Sequence, residues 1–169
     1  MELPCEFTIV SGGQTGADRA ALDWAIRQGI PHDGWCPRGR IAEDGPLDDG
    51  YRLRETPSRK YEQRTRWNVR DSDATLVATL QANPTGGTAL TLGTARQQGK
   101  PWLHIARDTI SSLEEAGQHV AEWIFEQGVE RLNVAGPRAS QEPEIAAFVH
   151  ELLMATLASQ KSMVSEAFD

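Results

Sequence analysis

The stretch Ile9–Asp23, IVSGGQTGADRAALD, decides how the rest of this chain is read. Phe7, Ile9 and Val10 form a short apolar run, the pattern of a buried strand, which ends at Ser11. Gly12, Gly13 and Gly16 follow closely, so the backbone can turn sharply there and approach a ligand. A helix is predicted next. Thr15 and Asp18 stand at capping-box spacing, and Ala17, Ala21, Trp24 and Ala25 recur at helical spacing as a buried face. A strand, a glycine turn and a helix start bring free N–H groups and the positive end of a helix dipole together. Gly12, Gly13, Gln14, Thr15 and Gly16 are therefore a candidate oxyanion or phosphate cradle. The pattern is neither a G-x-G-x-x-G fingerprint nor a Walker A loop, since no Lys-Ser/Thr follows the glycines.

Working outward, Gly29 closes the first helix and Ile30–Pro37 reads as a second strand. Residues 38–58 then carry three glycines, two prolines and little periodicity. A loop of that length in a compact domain is usually functional, and this one follows a strand end, where α/β proteins place ligand-contacting loops. It supplies Arg38 and Arg40 as candidate phosphate ligands, together with Glu43, Asp44 and Tyr51. Residues 59–72 suit a helix with Tyr61, Thr65 and either Asn68 or Val69 along one side. Asp73–Leu80 is β-branched and apolar, the composition of a central strand.

A second glycine turn comes directly after it. Pro84, Thr85, Gly86, Gly87 and Thr88 lead into a helix that closes at Gly99, and Pro101–Ala106 is the next strand. Ser111 and Glu114 have capping-box spacing at the start of a helix whose stripe is Leu113, Val120 and Ile124, ended by Gly128. Arg131–Ala135 is a fifth strand, GPRAS (136–140) a third small-residue turn carrying Arg138, and residues 142–158 a last helix. Residues 1–160 thus read as one α/β domain: an open, mostly parallel sheet of about five strands with helices on both faces. Residues 161–169 read as a frayed tail.

Composition narrows the partners. The 169 residues carry a net charge of −7, which argues against nucleic acid as the principal partner. No apolar run approaches the roughly 20 residues of a membrane span, and the first ten residues lack the basic-then-apolar order of a signal peptide. Cys5 and Cys36 form no C-x-x-C, and no histidines pair at metal spacing. A reducing cytoplasmic setting is expected.

SGGQTGADRAALD, GWCPRGRIAEDG, YEQRTRWNVRDSDATLV, PTGGTALT and GKPWLHIA resemble, in this order, the molybdenum-cofactor carrier family. That family is similar to a circularly permuted YpsA-like branch of the SLOG superfamily, which also includes lysine-decarboxylase-like phosphoribohydrolases. The resemblance covers roughly residues 7–106, and GPRAS resembles the turn that opens the unpermuted relatives. It implies a Rossmann-like fold, a phosphate-bearing ligand (molybdenum cofactor or a nucleotide derivative) and a homo-oligomer. Phosphoribohydrolase relatives use a Gly-Gly-x-Gly-Thr-x-x-Glu turn; aligning Thr88 with its threonine puts Thr91 where the glutamate stands.

Two functions are therefore open. A binder or carrier would cradle phosphate on Gly12, Gly13, Gly16, Gly86 and Gly87, with Thr15, Thr85 and Thr88 at the turns and Arg38, Arg40 or Arg138 neutralising charge. A hydrolase acting on an N-glycosidic or phosphate bond would need a carboxylate, for which Glu43 and Asp44 are the candidates and Asp18 the less suited one. The threonine at position 91 favours the binder, because a hydroxyl cannot replace a carboxylate base. Trp35 stands beside the expected site mouth, Cys36 reads as a buried small residue, and His32 and His104 are single.

Overall fold

The computed structural model describes residues 7–166, with side chains described through Gln160. Cys5, the other residues before Phe7 and part of the predicted tail lie outside the described residues. Among the described residues nine strands occur in chain order: β1 Thr8–Val10, β2 His32–Asp33, β3 Trp35–Cys36, β4 Ile41–Ala42, β5 Gly45–Pro46, β6 Arg54–Glu55, β7 Ala74–Thr79, β8 Trp102–Ala106 and β9 Arg131–Ala135. The helices are α1 Ala17–Gln28, α2 Tyr61–Arg70, α3 Gly86–Gln97, α4 Leu113–Glu126 and α5 Ile145–Glu166.

Five of the strands form one parallel sheet in the order β2-β1-β9-β7-β8. The last strand in the chain is the central one. Counted as if β9 came first, the order reads 3-2-1-4-5, the arrangement of a Rossmann sheet. The chain is thus a Rossmann-like fold whose first strand has moved to the end, and the point where strand order reverses lies between β9 and β7.

Period-2 alternation divides the interior. Ile9, Leu76, Ala78, Leu132 and Val134 pack with Trp24, Val120, Phe148 and Leu152 in the main apolar core, where α5 lies between α1 and α4. Each large side chain buried there contributes about 1.5–3 kcal/mol. The alternate positions Thr75, Thr79 and Asn133 face the side of α2 and α3, and they are buried polar residues. Thr65 and Asn68 of α2 and Thr91 and Thr94 of α3 are buried polar residues too. One face of the sheet is oil; the other is wired.

Four local expectations change. The predicted second strand splits, because the Asn68 amide binds both backbone groups of Trp35, accepting its N–H at 2.7 Å and donating to its carbonyl at 3.0 Å. That pulls β3 off the main sheet to pair with β6. The region read as a loop, residues 38–58, holds the antiparallel ladder of β4 and β5 as well as β6. The cap of α4 is Ser112, which accepts from the Glu115 N–H at 3.1 Å, one residue later than the predicted pair. Finally, α5 runs on to Glu166 instead of ending near residue 158.

Candidate functional site

The three small-residue turns follow β1, β9 and β7, so they stand side by side at the carboxyl ends of neighbouring strands. A cleft of about 490 Å³ opens beside them. Gly86, Gly87, Thr88 and Thr91 of α3 line one wall, and Tyr61, Glu62, Arg64 and Thr65 of α2 line another. Gln14 and Asp18 come from the first turn, and Gly136, Arg138 and Gln141 from the third.

The first turn differs from its expected role. Gly16 has φ 81, and a Cβ there would lie 2.5 Å from the Pro137 carbonyl oxygen. The first N–H of α1, on Ala17, donates to that same carbonyl at 3.1 Å. Thr15 and Asp18 do not form a capping box. Thr15 Oγ1 accepts from the Ala139 N–H at 3.2 Å and donates to Glu43, while Asp18 accepts from the Gln14 N–H at 3.3 Å and from Arg64 at 2.7 Å. Protein groups therefore fill the start of α1.

Its glycines serve close packing. A Cβ on Gly12 would lie 1.8 Å from Arg64 Nη1, and one on Gly13 would lie 2.8 Å from both Leu47 and Leu53. None of Gly12, Gly13, Thr15, Gly16 and Thr85 lines the cleft; Gln14 does.

The start of α3 is the opposite case. Thr85 precedes it in extended conformation without a side-chain cap, and its first turn carries no acidic residue. The N–H groups of Gly86, Gly87 and Thr88 have no acceptor within the helix by the geometry of any helix start. Gly86 and Gly87 are exposed at the cleft. Thr91 turns inward, its hydroxyl donating to the Gly87 carbonyl at 2.9 Å.

Of the predicted arginines, Arg138 alone reaches the cleft. Its guanidinium lies 5.4 Å from the centre of the Tyr61 ring and 3.9 Å from Glu43. Arg38 is exposed elsewhere. Arg40, at φ 52, turns inward on its own loop and donates to the carbonyls of Leu53, Asp48 and Tyr51 at 2.8–3.1 Å. Its charge organises residues 47–53.

Glu43 and Asp44 do not line the cleft either. Glu43 accepts from Ser140 Oγ at 2.6 Å, from the Ser140 N–H at 3.2 Å and from Thr15. The Ser140 and Thr15 hydroxyls hold its carboxyl below the usual range, so it stays ionised. Asp44 is clamped by both guanidinium nitrogens of Arg19 at 2.7 and 3.1 Å, and the same contact lowers its pKa. The carboxylates in the cleft wall are Asp18, paired with Arg64, and Glu62.

Arg64 is the cleft residue that the sequence reading passes over. It follows Tyr61 by three positions and precedes Thr65, so helical spacing puts it on the buried side of α2. Four other basic residues between 59 and 70 hide that signal. Trp35 lies away from the cleft, donating to Asp71 at 2.7 Å with its ring edge-on to Trp67. Cys36 is buried with Leu22, Leu47 and Leu53, and burial pushes its thiol pKa up.

Residues 9–157 match the circularly permutated YpsA SLOG family. The chain belongs to that family. The match extends through β9 and into α5, beyond the part of the chain whose motifs carry the sequence resemblance, and a permuted family agrees with a sheet whose central strand comes last. Among solved structures, the chain is similar to the crystal structure of "Putative molybdenum carrier protein" from Syntrophus aciditrophicus SB. The two share 47% sequence identity at a TM-score of 0.86, over 89% of this chain and 94% of that one. No curated protein matches. Among the described residues no group of three or more His, Cys, Asp or Glu could hold a metal ion, and no helix is long and apolar enough to cross a membrane.

Proposed function

We propose that this protein binds a phosphate-bearing small molecule, a nucleotide derivative or molybdenum cofactor, and carries it without cleaving it. The observation that supports this most is the start of α3: uncapped, glycine-lined and open to the cleft, while the start of α1 is filled by protein. Arg138 adds positive charge beside it. The cleft offers backbone N–H, amide and guanidinium donors, a set that suits oxyanions. Molybdenum cofactor would be held as cargo, through the phosphate of its organic part or the oxo oxygens on the metal. The similar protein named as a molybdenum carrier makes that cargo a candidate here.

The absence of cleavage rests on Thr91, which stands where the related phosphoribohydrolase turn has glutamate and spends its hydroxyl on Gly87. Glu43 and Asp44 are held by Ser140, Thr15 and Arg19, outside the cleft. The same reading takes the working form as a cytoplasmic homo-oligomer with neither nucleic acid nor membrane as partner.

Calorimetric titration with nucleoside monophosphates and their parent nucleosides tests the proposal. A Cβ at Gly87 meets nothing within 4 Å, so Gly87→Val folds and crowds only the anion position. Monophosphates are expected to bind at least ~10-fold tighter than nucleosides, with the advantage lost in Gly87→Val. Equal affinity for both classes overturns the phosphate reading. Chromatography showing release of free base would overturn the carrier reading.

A further inference from the structure

We infer that Gln14 makes the cleft floor a second recognition point, separate from the phosphate position, which selects ligands presenting a carbonyl-type acceptor. The inference rests on the phosphate reading above. Gln14 Oε1 accepts two backbone N–H groups, from Thr15 at 3.0 Å and Glu43 at 2.9 Å. Backbone N–H groups only donate, so the amide oxygen must face them and Nε2 must face the other way. Gln14 is 5% exposed and lines the cleft, and its Nε2 is buried without a hydrogen-bond partner.

Arg64 Nε is a second buried donor without a partner. The two residues are neighbours, because the Gln14 N–H and Arg64 Nη1 both donate to Asp18 Oδ2. Both unpartnered buried side-chain atoms of the cleft-lining residues are donors, so a group that satisfies them must accept. Buried donors left unmade are costly, so a ligand that satisfies them is favoured over one that cannot.

That group is not the phosphate on α3. The turn after β1 and the helix start after β7 are separated by β9 in the sheet. Two strand spacings are roughly 10 Å, far more than one phosphate spans. The ligand class that fits has a phosphate at one end and an oxo-substituted ring at the other.

The test uses inosine 5′-monophosphate, which presents a ring oxo group, and adenosine 5′-monophosphate, which presents an amino group at that position. Inorganic pyrophosphate is the third probe. The wild-type protein is expected to bind the inosine nucleotide at least ~10-fold tighter than the adenosine nucleotide. Gln14→Glu keeps an acceptor for the Thr15 and Glu43 N–H groups but removes the donor, and Gln14→Met removes the amide without adding charge. Both variants should lose the preference and keep the monophosphate-over-nucleoside advantage, with thermal melts reporting the fold. If the two nucleotides bind equally while that advantage stands, Gln14 does not read an acceptor and this inference alone fails. If pyrophosphate binding falls in the Gln14 variants as much as inosine nucleotide binding, the floor holds phosphate and the inference also fails. If no monophosphate outbinds its nucleoside, the phosphate reading and this one fall together.

Discussion

The starts of α1 and α3 look alike in sequence and differ completely in the folded chain. Each follows a parallel strand of the same sheet and opens on glycines. At α1 the acceptors are supplied from residues far away: the Pro137 carbonyl takes the Ala17 N–H, and Glu43 ties Thr15 to Ser140. At α3 a Cβ on Gly86 would meet only Gln141 Nε2, at 3.8 Å, and one on Gly87 nothing within 4 Å, and the cleft lies in front of them. A glycine turn before a helix is thus open to a ligand only where the neighbouring turns leave it so. Here the best-formed glycine motif became the hinge pin of the site, and a plainer one became its mouth.

Four experiments separate these two regions, the largest effect first. Asp18→Ala leaves the Arg64 side chain, only 14% exposed, without its partner, at an expected cost of about 3–5 kcal/mol in urea unfolding. A loss under ~1 kcal/mol would show that the pair only decorates the cleft. Gly16→Ala puts a Cβ into the Pro137–Ala139 backbone at a positive φ and should cost on the order of 3 kcal/mol by the same assay.

Gly87→Ala is the counterpart on α3. Open space surrounds that position, so a better helix former there should stabilise by about 0.5–1 kcal/mol while weakening phosphate binding. Destabilisation instead would mean that α3 is as tightly packed as α1.

The smallest effect is the acid response of the Glu43 clasp. Its folded pKa lies below the ordinary 4.5, through hydrogen bonds from Ser140 and Thr15. The clasp therefore contributes its full stability above the unfolded value and loses it as pH falls through the folded one. Protection factors of residues 41–46 in hydrogen exchange, corrected for the intrinsic slowing of exchange in acid, should fall on acidification below the unfolded value, and Glu43→Gln should abolish that response. Protection factors that stay constant with pH in the wild type would remove Glu43 as the link between loop and turn.

Most of the elements were legible in the chain because their causes are local. β-Branched runs such as Asp73–Leu80, closing glycines such as Gly29 and the helical stripe of α5 act within a few residues. The site was legible in part. Gly86, Gly87, Thr88, Gln14 and Arg138 were named and line the cleft, whereas Arg40 was named for its charge and spends it on loop carbonyls. Arg64 was hidden because basic residues crowd α2, and only burial beside Asp18 distinguishes it.

By itself the sequence determined the alternation of strands and helices, the parallel sheet and the glycine turns at its carboxyl edge, all consequences of short-range periodicity and backbone freedom. Tertiary structure alone decided that β9 sits at the centre, that α1 is closed and α3 open, and that Gln14 lines the cleft. Those outcomes depend on pairs such as Thr15 with Ala139, 124 residues apart in the chain. No local pattern encodes which distant carbonyl or carboxylate will reach a helix start first.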